Sequence, residues 1–161
     1  MSQLPLRLAG LLSAGLAAAT LGMAFIAQYG FGLAPCQLCL WQRWPYAAAI
    51  LLGLAAWQNA KFRPWLLGAT ALAFLATSGI GAFHTGVEYG WWKGLESCGG
   101  GATAQSIEAL RAQIMAAPIV RCDDVAFRFL GLSMAAWNAL WGLALALLTL
   151  SFARRGFSEA A

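Results

Sequence analysis

Four long stretches of this chain carry no Asp, Glu, Lys or Arg. They run between Arg7 and Arg43, between Arg43 and Lys61, between Arg63 and Glu88, and from Phe129 to Ala153. A helix needs roughly 20 apolar residues to cross about 30 Å of hydrocarbon. The pattern therefore predicts four membrane-spanning helices, at 6–28, 40–58, 65–85 and 132–152, with outer loops at 29–39 and 86–131. The first stretch is too long for one helix and breaks where Gly30, Gly32 and Pro35 punctuate it. Its apolar run also exceeds the roughly 7–15 residues of a signal-peptide core, so it is expected as a retained helix. Gly10, Ala14, Ala18 and Gly22 recur at every fourth position and are expected to form a small-residue face for close helix contact, although an Ala-rich helix produces such rows by chance.

Composition agrees with the pattern. The chain of 161 residues is 61% hydrophobic and 10% charged, against about 45–50% and about 25% in soluble domains. Its mean hydropathy is +0.68. That composition argues against intrinsic disorder and a soluble dinucleotide-binding fold, and a net charge of +4 is too small and scattered for a nucleic-acid footprint. The expectation is an all-α membrane protein, a four-transmembrane-helix bundle forming one integral membrane domain over 1–161.

Lys and Arg near the helix ends set orientation. Four spans put both termini and the 59–64 loop on one side, with Arg7, Lys61, Arg63, Arg154 and Arg155. The other side holds Arg43, Lys93, Arg111, Arg121 and Arg128, spread through longer loops that also carry acids. The concentrated set is expected in the cytoplasm.

That orientation places all the cysteines outside: Cys36 and Cys39 in the first outer loop, Cys98 and Cys122 in the second. Cysteines confined to segments facing an oxidising compartment point to disulfide chemistry. Inert buried thiols and a four-cysteine zinc site are the alternatives, and the wide spacing of the second pair fits zinc poorly. Leu40 after Cys39 removes covalent haem attachment. No metal site is expected.

A C-x-x-C pair closes a small disulfide that exchanges readily. Pro35 precedes it, and a helix starting near Cys39 would stabilise a thiolate with its free N–H groups. Arg43 lies one turn beyond Cys39 on the same helix face and adds a fixed positive charge. An interfacial anchor snorkelling to the headgroups is the bland alternative for Arg43. In the second loop, a Cys98–Cys122 bond would close a long loop, worth about 3–4 kcal/mol in the chain-entropy model. Gly99, Gly100 and Gly101 leave Cys98 open to attack by another thiol, whereas Asp123 and Asp124 disfavour a thiolate at Cys122, with Arg121 partly offsetting them. Between them, Ile107, Leu110 and Ile114 mark one face of a short helix ended by Pro118, with Glu108 and Arg111 on its polar side. Such a helix would rest on the membrane surface or pack on the bundle.

Pro35-Cys36-Gln37-Leu38-Cys39 with Gln42-Arg43, the region of His84, two cysteines in a long second loop, and Phe129-Leu130-Gly131-Leu132-Ser133-Met134 leading to Trp137 resemble the DsbB family of bacterial disulfide-bond formation proteins. The resemblance spans nearly the whole chain. One departure is Gln42, where family members often carry an acid.

The resemblance implies a thiol oxidase of the bacterial inner membrane with periplasmic cysteine loops. A reduced DsbA-like partner would attack the Cys98–Cys122 disulfide, forming a mixed disulfide with Cys98. Electrons would pass to Cys36–Cys39 and from Cys39 to a quinone, ubiquinone or menaquinone. Arg43 would hold the quinone head group, and His84 and Met134, near the outer ends of the third and fourth helices, would line the same pocket. Trp44, Trp91, Trp92 and Trp137 fit an interfacial aromatic belt.

Two other classes remain. A vitamin K epoxide reductase-like oxidoreductase also pairs C-x-x-C with loop cysteines, but places the C-x-x-C after the separated pair. A non-enzymatic scaffold or transporter with structural disulfides lacks the broken helices or intramembrane acid of a transport path.

Overall fold

A computed structural model describes residues 4–94, 106–108, 111, 121–125 and 127–160. Helix α1 (Leu4–Phe25) ends in a π-helical turn, Ile26–Gly30. Helices α2 (Gln37–Gln58) and α3 (Arg63–Glu88) follow, then a hairpin of β1 (Arg128–Phe129) and β2 (Leu132–Ser133), and helix α4 (Met134–Ala160).

The chain is an all-α membrane protein apart from that small hairpin. Three segments are long and apolar enough to cross a bilayer: Leu4–Gly30, Arg63–Glu88 and Met134–Ser158. Helix α2 has 22 residues, about 33 Å at 1.5 Å per residue, but it does not join that set. Gln37, Gln42, Arg43 and Gln58 dilute its apolar run. It packs between α1 and α3, and α4 packs along α3. Side chains such as Leu51, Leu72 and Leu147 point outward and exposed, as lipid-facing residues do.

Helix ends differ from the charge-free runs for local reasons. Helix α2 starts at Gln37 because Cys36 caps it, its sulfur accepting from the Cys39 N–H at 3.4 Å. Helix α3 starts at Arg63, where Pro64 occupies the first turn and Asn59 Oδ1 accepts from the Phe62 N–H. Helix α4 starts at Met134 rather than 132, because residues 128–133 form the hairpin instead. Leu130 and Gly131 both take positive φ, 50° and 81°, the turn that matches strand twist. Ser133 Oγ then accepts from the Ala136 N–H at the start of α4. At its far end α4 runs on past Arg154 and Arg155, since charges stop a membrane span and not a helix.

The small-residue face is shorter than the four-residue repeat suggests. A Cβ on Gly10 would lie 2.8 Å from the Gly53 carbonyl oxygen, and one on Gly53 would lie 2.8 Å from that of Gly10. The α1 and α2 backbones therefore touch at this pair. Ser13, Ala14 and Ala17 are buried beyond it, whereas Ala18 is exposed and Gly22 has open space beside it. A row of every fourth residue drifts around a helix of 3.6 residues per turn, so the contact passes to 13, 14 and 17.

Three buried clusters stack along the bundle. Leu6, Ala9, Ala56, Leu67 and Ala153 fill the end near the N-terminus. Ala17, Tyr46, Ala49, Phe74, Leu145 and Ala146 fill the middle. Cys36, Leu38, Val87 and Cys122 close the other end. In the second loop, Ile107, Glu108 and Arg111 are helical and exposed. Leu110, Ile114 and Pro118, which carry the rest of the expected amphipathic helix, lie outside the described residues, as does Cys98.

Candidate functional site

The last cluster holds the chemistry. Chain connectivity brings the end of α1, the start of α2, the end of α3 and the start of α4 to one pole of the bundle. Cys36 caps α2, and Cys39 stands in its first turn. Both thiols are free, with their sulfurs 3.2 Å apart. Cys122 is disulfide-bonded, fully buried, and packed in the same cluster as Cys36.

The Cys36 sulfur is ringed by donors. It accepts from the Cys39 backbone N–H and lies 3.5 Å from His84 Nε2. Cys36 lies in the connecting segment ahead of α2. The neighbouring Cys39 thiol first, and then the His84 ring and the Cys39 N–H, hold the Cys36 thiol well below its ordinary range against the opposing effect of burial.

His84 projects from the last turns of α3 and is buried. Its Nδ1 receives the Gln42 side-chain amide at 3.2 Å. Its Nε2 stands 3.9 Å from Glu88 one turn on, and the ring also bonds the Cys122 backbone. The other Glu88 oxygen takes a short hydrogen bond from Ser133, fastening α3 to the hairpin. The donor atoms of Cys36, Cys39 and His84 all lie within 4.8 Å of one another, a spacing at which a soft cation can be held.

A cavity of about 550 Å³ opens beside this cluster. Leu21, Ala24 and Ala27 of α1 wall one side, Cys39 and Arg43 of α2 the floor, and Met134, Asn138 and Trp141 of α4 the other side. Of the side chains singled out in the sequence, Cys39, Arg43 and Met134 line it. His84 does not: its ring is turned to Cys36, behind the cavity wall. Arg43 is half-buried, donates to Gln28 Oε1 at 2.7 Å and lies over the Phe25 ring at 4.9 Å. It is held inward by the end of α1 rather than extended toward headgroups.

In the second loop, Arg121 binds Asp123 through two contacts, 2.9 and 2.6 Å, with both side chains in water. That hydrogen bond holds the Asp123 carboxyl below the usual carboxylate range. Cys122 is buried between these exposed neighbours, so the acids surround it in sequence more than in space. Among the tryptophans, Trp44 and Trp91 are exposed, while Trp92 and Trp137 anchor their indole N–H groups on the carbonyls of Phe83 and Phe129.

A polar chain runs beneath the cysteines, mostly outside the residues the sequence pattern singles out. Tyr46 Oη donates to Asn138 Oδ1 at 2.7 Å, and Asn138 Nδ2 donates to Gln42 Oε1 at 2.7 Å. Thr77 joins through its hydroxyl, which donates to the Gln42 carbonyl at 3.1 Å. An Asn, a Gln and a Thr inside otherwise apolar helices are the signal that could have revealed it.

Fold and site together define a helical membrane protein with a free C-x-x-C pair beside an apolar cavity at one pole and a disulfide-bonded cysteine packed against that pair. The family described as Disulfide bond formation protein DsbB matches residues 6–152, and this chain belongs to that family. Disulfide bond formation protein B of Xanthomonas oryzae pv. oryzae is 34% identical over 146 residues, covering 83% of this chain and 82% of that protein. Its counterpart in Xanthomonas campestris pv. campestris is 33% identical over 150 residues, covering 86% of each. That of Xylella fastidiosa is 32% identical over 139 residues, covering 81% of this chain and 79% of that protein. No solved structure matches the chain with significance.

Proposed function

We propose that this protein is a membrane thiol oxidase that reoxidises a DsbA-like periplasmic dithiol and delivers the electrons to a quinone. The observation that carries the reading is Cys39, a free thiol beside its partner Cys36 and at the same time part of the cavity wall with Arg43. In this reading α2 is the fourth span, both termini are cytoplasmic, and the cysteine loops face the periplasm of a bacterial inner membrane.

The partner's thiolate attacks Cys98, breaks the Cys98–Cys122 bond and frees Cys122 as a thiolate. Cys122, packed against Cys36, attacks the Cys36 sulfur of an oxidised Cys36–Cys39 pair. A Cys36–Cys122 bond forms and Cys39 leaves as a thiolate in the cavity wall. The partner's second thiol releases the partner as a disulfide and leaves Cys98 free. Cys98 then attacks Cys122, restoring Cys98–Cys122 and releasing Cys36. The net change is one partner dithiol oxidised and Cys36–Cys39 reduced by two electrons.

The cavity fits a quinone head group by its chemistry. Its walls are apolar, its size is within the usual range of ligand pockets (about 300–1,000 Å³), and Arg43 offers N–H donors to a carbonyl oxygen. A bound quinone supplies a two-electron, two-proton acceptor, returning Cys36 and Cys39 to a disulfide. Arg43 would orient the head group and oppose negative charge beside Cys39, and Met134 would pack on its ring.

The test is turnover. Purified protein in detergent, given a reduced DsbA-like protein and ubiquinone, is followed by quinone absorbance. Cys39→Ser and Cys98→Ser should each abolish steady-state reduction. Continued turnover in either variant refutes the relay.

A further inference from the structure

The hydrogen bonds that reach His84 run in one direction. Tyr46 Oη can donate only its single proton, and it gives it to Asn138 Oδ1. Asn138 turns its NH₂ group to Gln42 Oε1, and to Thr77 Oγ1 at 3.2 Å. Gln42 is thereby left with its own NH₂ group facing His84 Nδ1 at 3.2 Å. An amide nitrogen has no acceptor capacity, so Nδ1 must be the unprotonated ring nitrogen. The proton of a neutral imidazole then sits on Nε2, the atom 3.5 Å from the Cys36 sulfur. We propose that Gln42 is a positioning residue that fixes His84 in the Nε2–H tautomer, so that the ring turns its N–H toward Cys36.

This rests on the thiol-relay reading and deepens it. In that relay Cys36 leaves the Cys36–Cys122 bond as a thiolate when Cys98 attacks Cys122. A neutral donor at Nε2 stabilises the departing sulfur without a proton transfer, and no proton returns to it from the ring. A carboxylate at position 42 would do the opposite. It accepts only, so it would draw the proton to Nδ1 and leave Nε2 either bare or part of an imidazolium. The imidazole lone pair points at Gln42, away from the sulfurs.

The ionisable groups around Cys36 are few. Cys39 faces it from α2, and His84 from α3 with Glu88 behind the ring. Cys122 faces it from the second loop as a disulfide.

The chain has one histidine, so [¹⁵N]histidine labelling reads His84 alone. Nitrogen NMR of the detergent-solubilised reduced protein near neutral pH should show a protonated Nε2 and a pyridine-like Nδ1. Gln42→Glu should move a proton to Nδ1, and Gln42→Leu should give a mixture of tautomers. A pyridine-like Nε2 in the unmutated protein overturns the proposal with no mutation involved. The second measurement is the pH profile of Cys36 alkylation by iodoacetamide in a Cys39→Ser background, read by peptide mass. Gln42→Leu should lower the thiolate fraction at a fixed pH below its midpoint by about tenfold, the effect of weakening one hydrogen bond to a charged sulfur. An unchanged profile overturns the link to Cys36. Neither readout needs a quinone or a partner protein. A correct tautomer in a protein without oxidase turnover would refute the function and spare this inference.

Discussion

Arg43 Nη1 donates to Gln28 Oε1 across 2.7 Å, joining the first turns of α2 to the π-helical turn at the end of α1. Gln28 thus decides where the guanidinium rests in the cavity wall. Gln28→Leu should leave the charge but release its position. The expected result is a rise in KM for quinone, with the rate of thiol exchange with the partner unchanged. A hydrogen bond to a charged group contributes about 1.5–3 kcal/mol, so the rise should be about tenfold. Arg43→His should raise KM as well, because it removes the bidentate fork. Steady-state quinone reduction with separate KM and kcat values checks both, and an unchanged KM in Arg43→His returns Arg43 to an anchoring role.

Cys36 gives the reduced protein a pH-dependent stability. Its folded-state pKa lies below the ordinary thiol value, mainly through the Cys39 thiol, so the unfolded chain binds more protons between those two values. Stability rises with pH across that window. The contribution is complete above the unfolded thiol pKa, about 8.5, and is lost as pH falls through the folded value. Thermal unfolding of the reduced protein in detergent should show a midpoint that climbs with pH from mildly acid to neutral conditions. Cys36→Ser should flatten that slope, and an equal slope in the variant contradicts the assignment.

The contact between α1 and α2 is a backbone contact. Gly53→Ala places a methyl 2.8 Å from the Gly10 carbonyl oxygen and 3.0 Å from the Ala14 nitrogen, neither of which can turn aside. Overpacking of this kind costs about 1–3 kcal/mol, and the thermal midpoint in detergent should fall by several degrees. Gly68→Ala is the control. It meets nothing within 4 Å on α3, and replacing an interior helix glycine by alanine gains up to about 1 kcal/mol. Equal midpoints in the two variants would place the glycine contact outside the stability of the bundle.

These positions show what the sequence carries and what it withholds. Absence of charge located three membrane-length helices, because a charge in hydrocarbon is costly wherever the helix sits. It could not settle α2, where Gln42 bonds His84 and Arg43 lines the cavity at the expense of hydropathy. Spacing along one helix put Cys39 and Arg43 on a common face, and both reach the cavity. The same reasoning put His84 and Met134 at the correct pole but could not tell lining from backing. His84 is turned to Cys36 by Gln42, which lies 42 residues away in the chain. Contacts of that kind depend on how α2, α3 and α4 are rotated, and periodicity fixes a helix face only to within a broad arc. The sequence pattern carries no signal for the hairpin because Leu130 adopts a positive φ that a non-glycine residue seldom takes.

The cavity lies between Ala24 of α1 and Trp141 and Asn138 of α4. Ala24 is remote in sequence from the cysteines and from Arg43, so filling its side of the cavity tests the ligand's place without touching the redox residues. Ala24→Phe should occupy much of the cavity width and raise KM for ubiquinone by at least tenfold, since an added ring has to be displaced or accommodated in a packed wall. In the proposed relay the reduced DsbA-like partner meets the loop cysteines and not Ala24. A single-turnover assay without quinone, reading mixed-disulfide formation and partner oxidation on gels, should therefore give the unmutated rate. Two results separate the roles of cavity and cysteines. A variant slow in both assays has a general folding defect, which its thermal midpoint will show. A variant normal in both means that the quinone meets Cys39 from another direction.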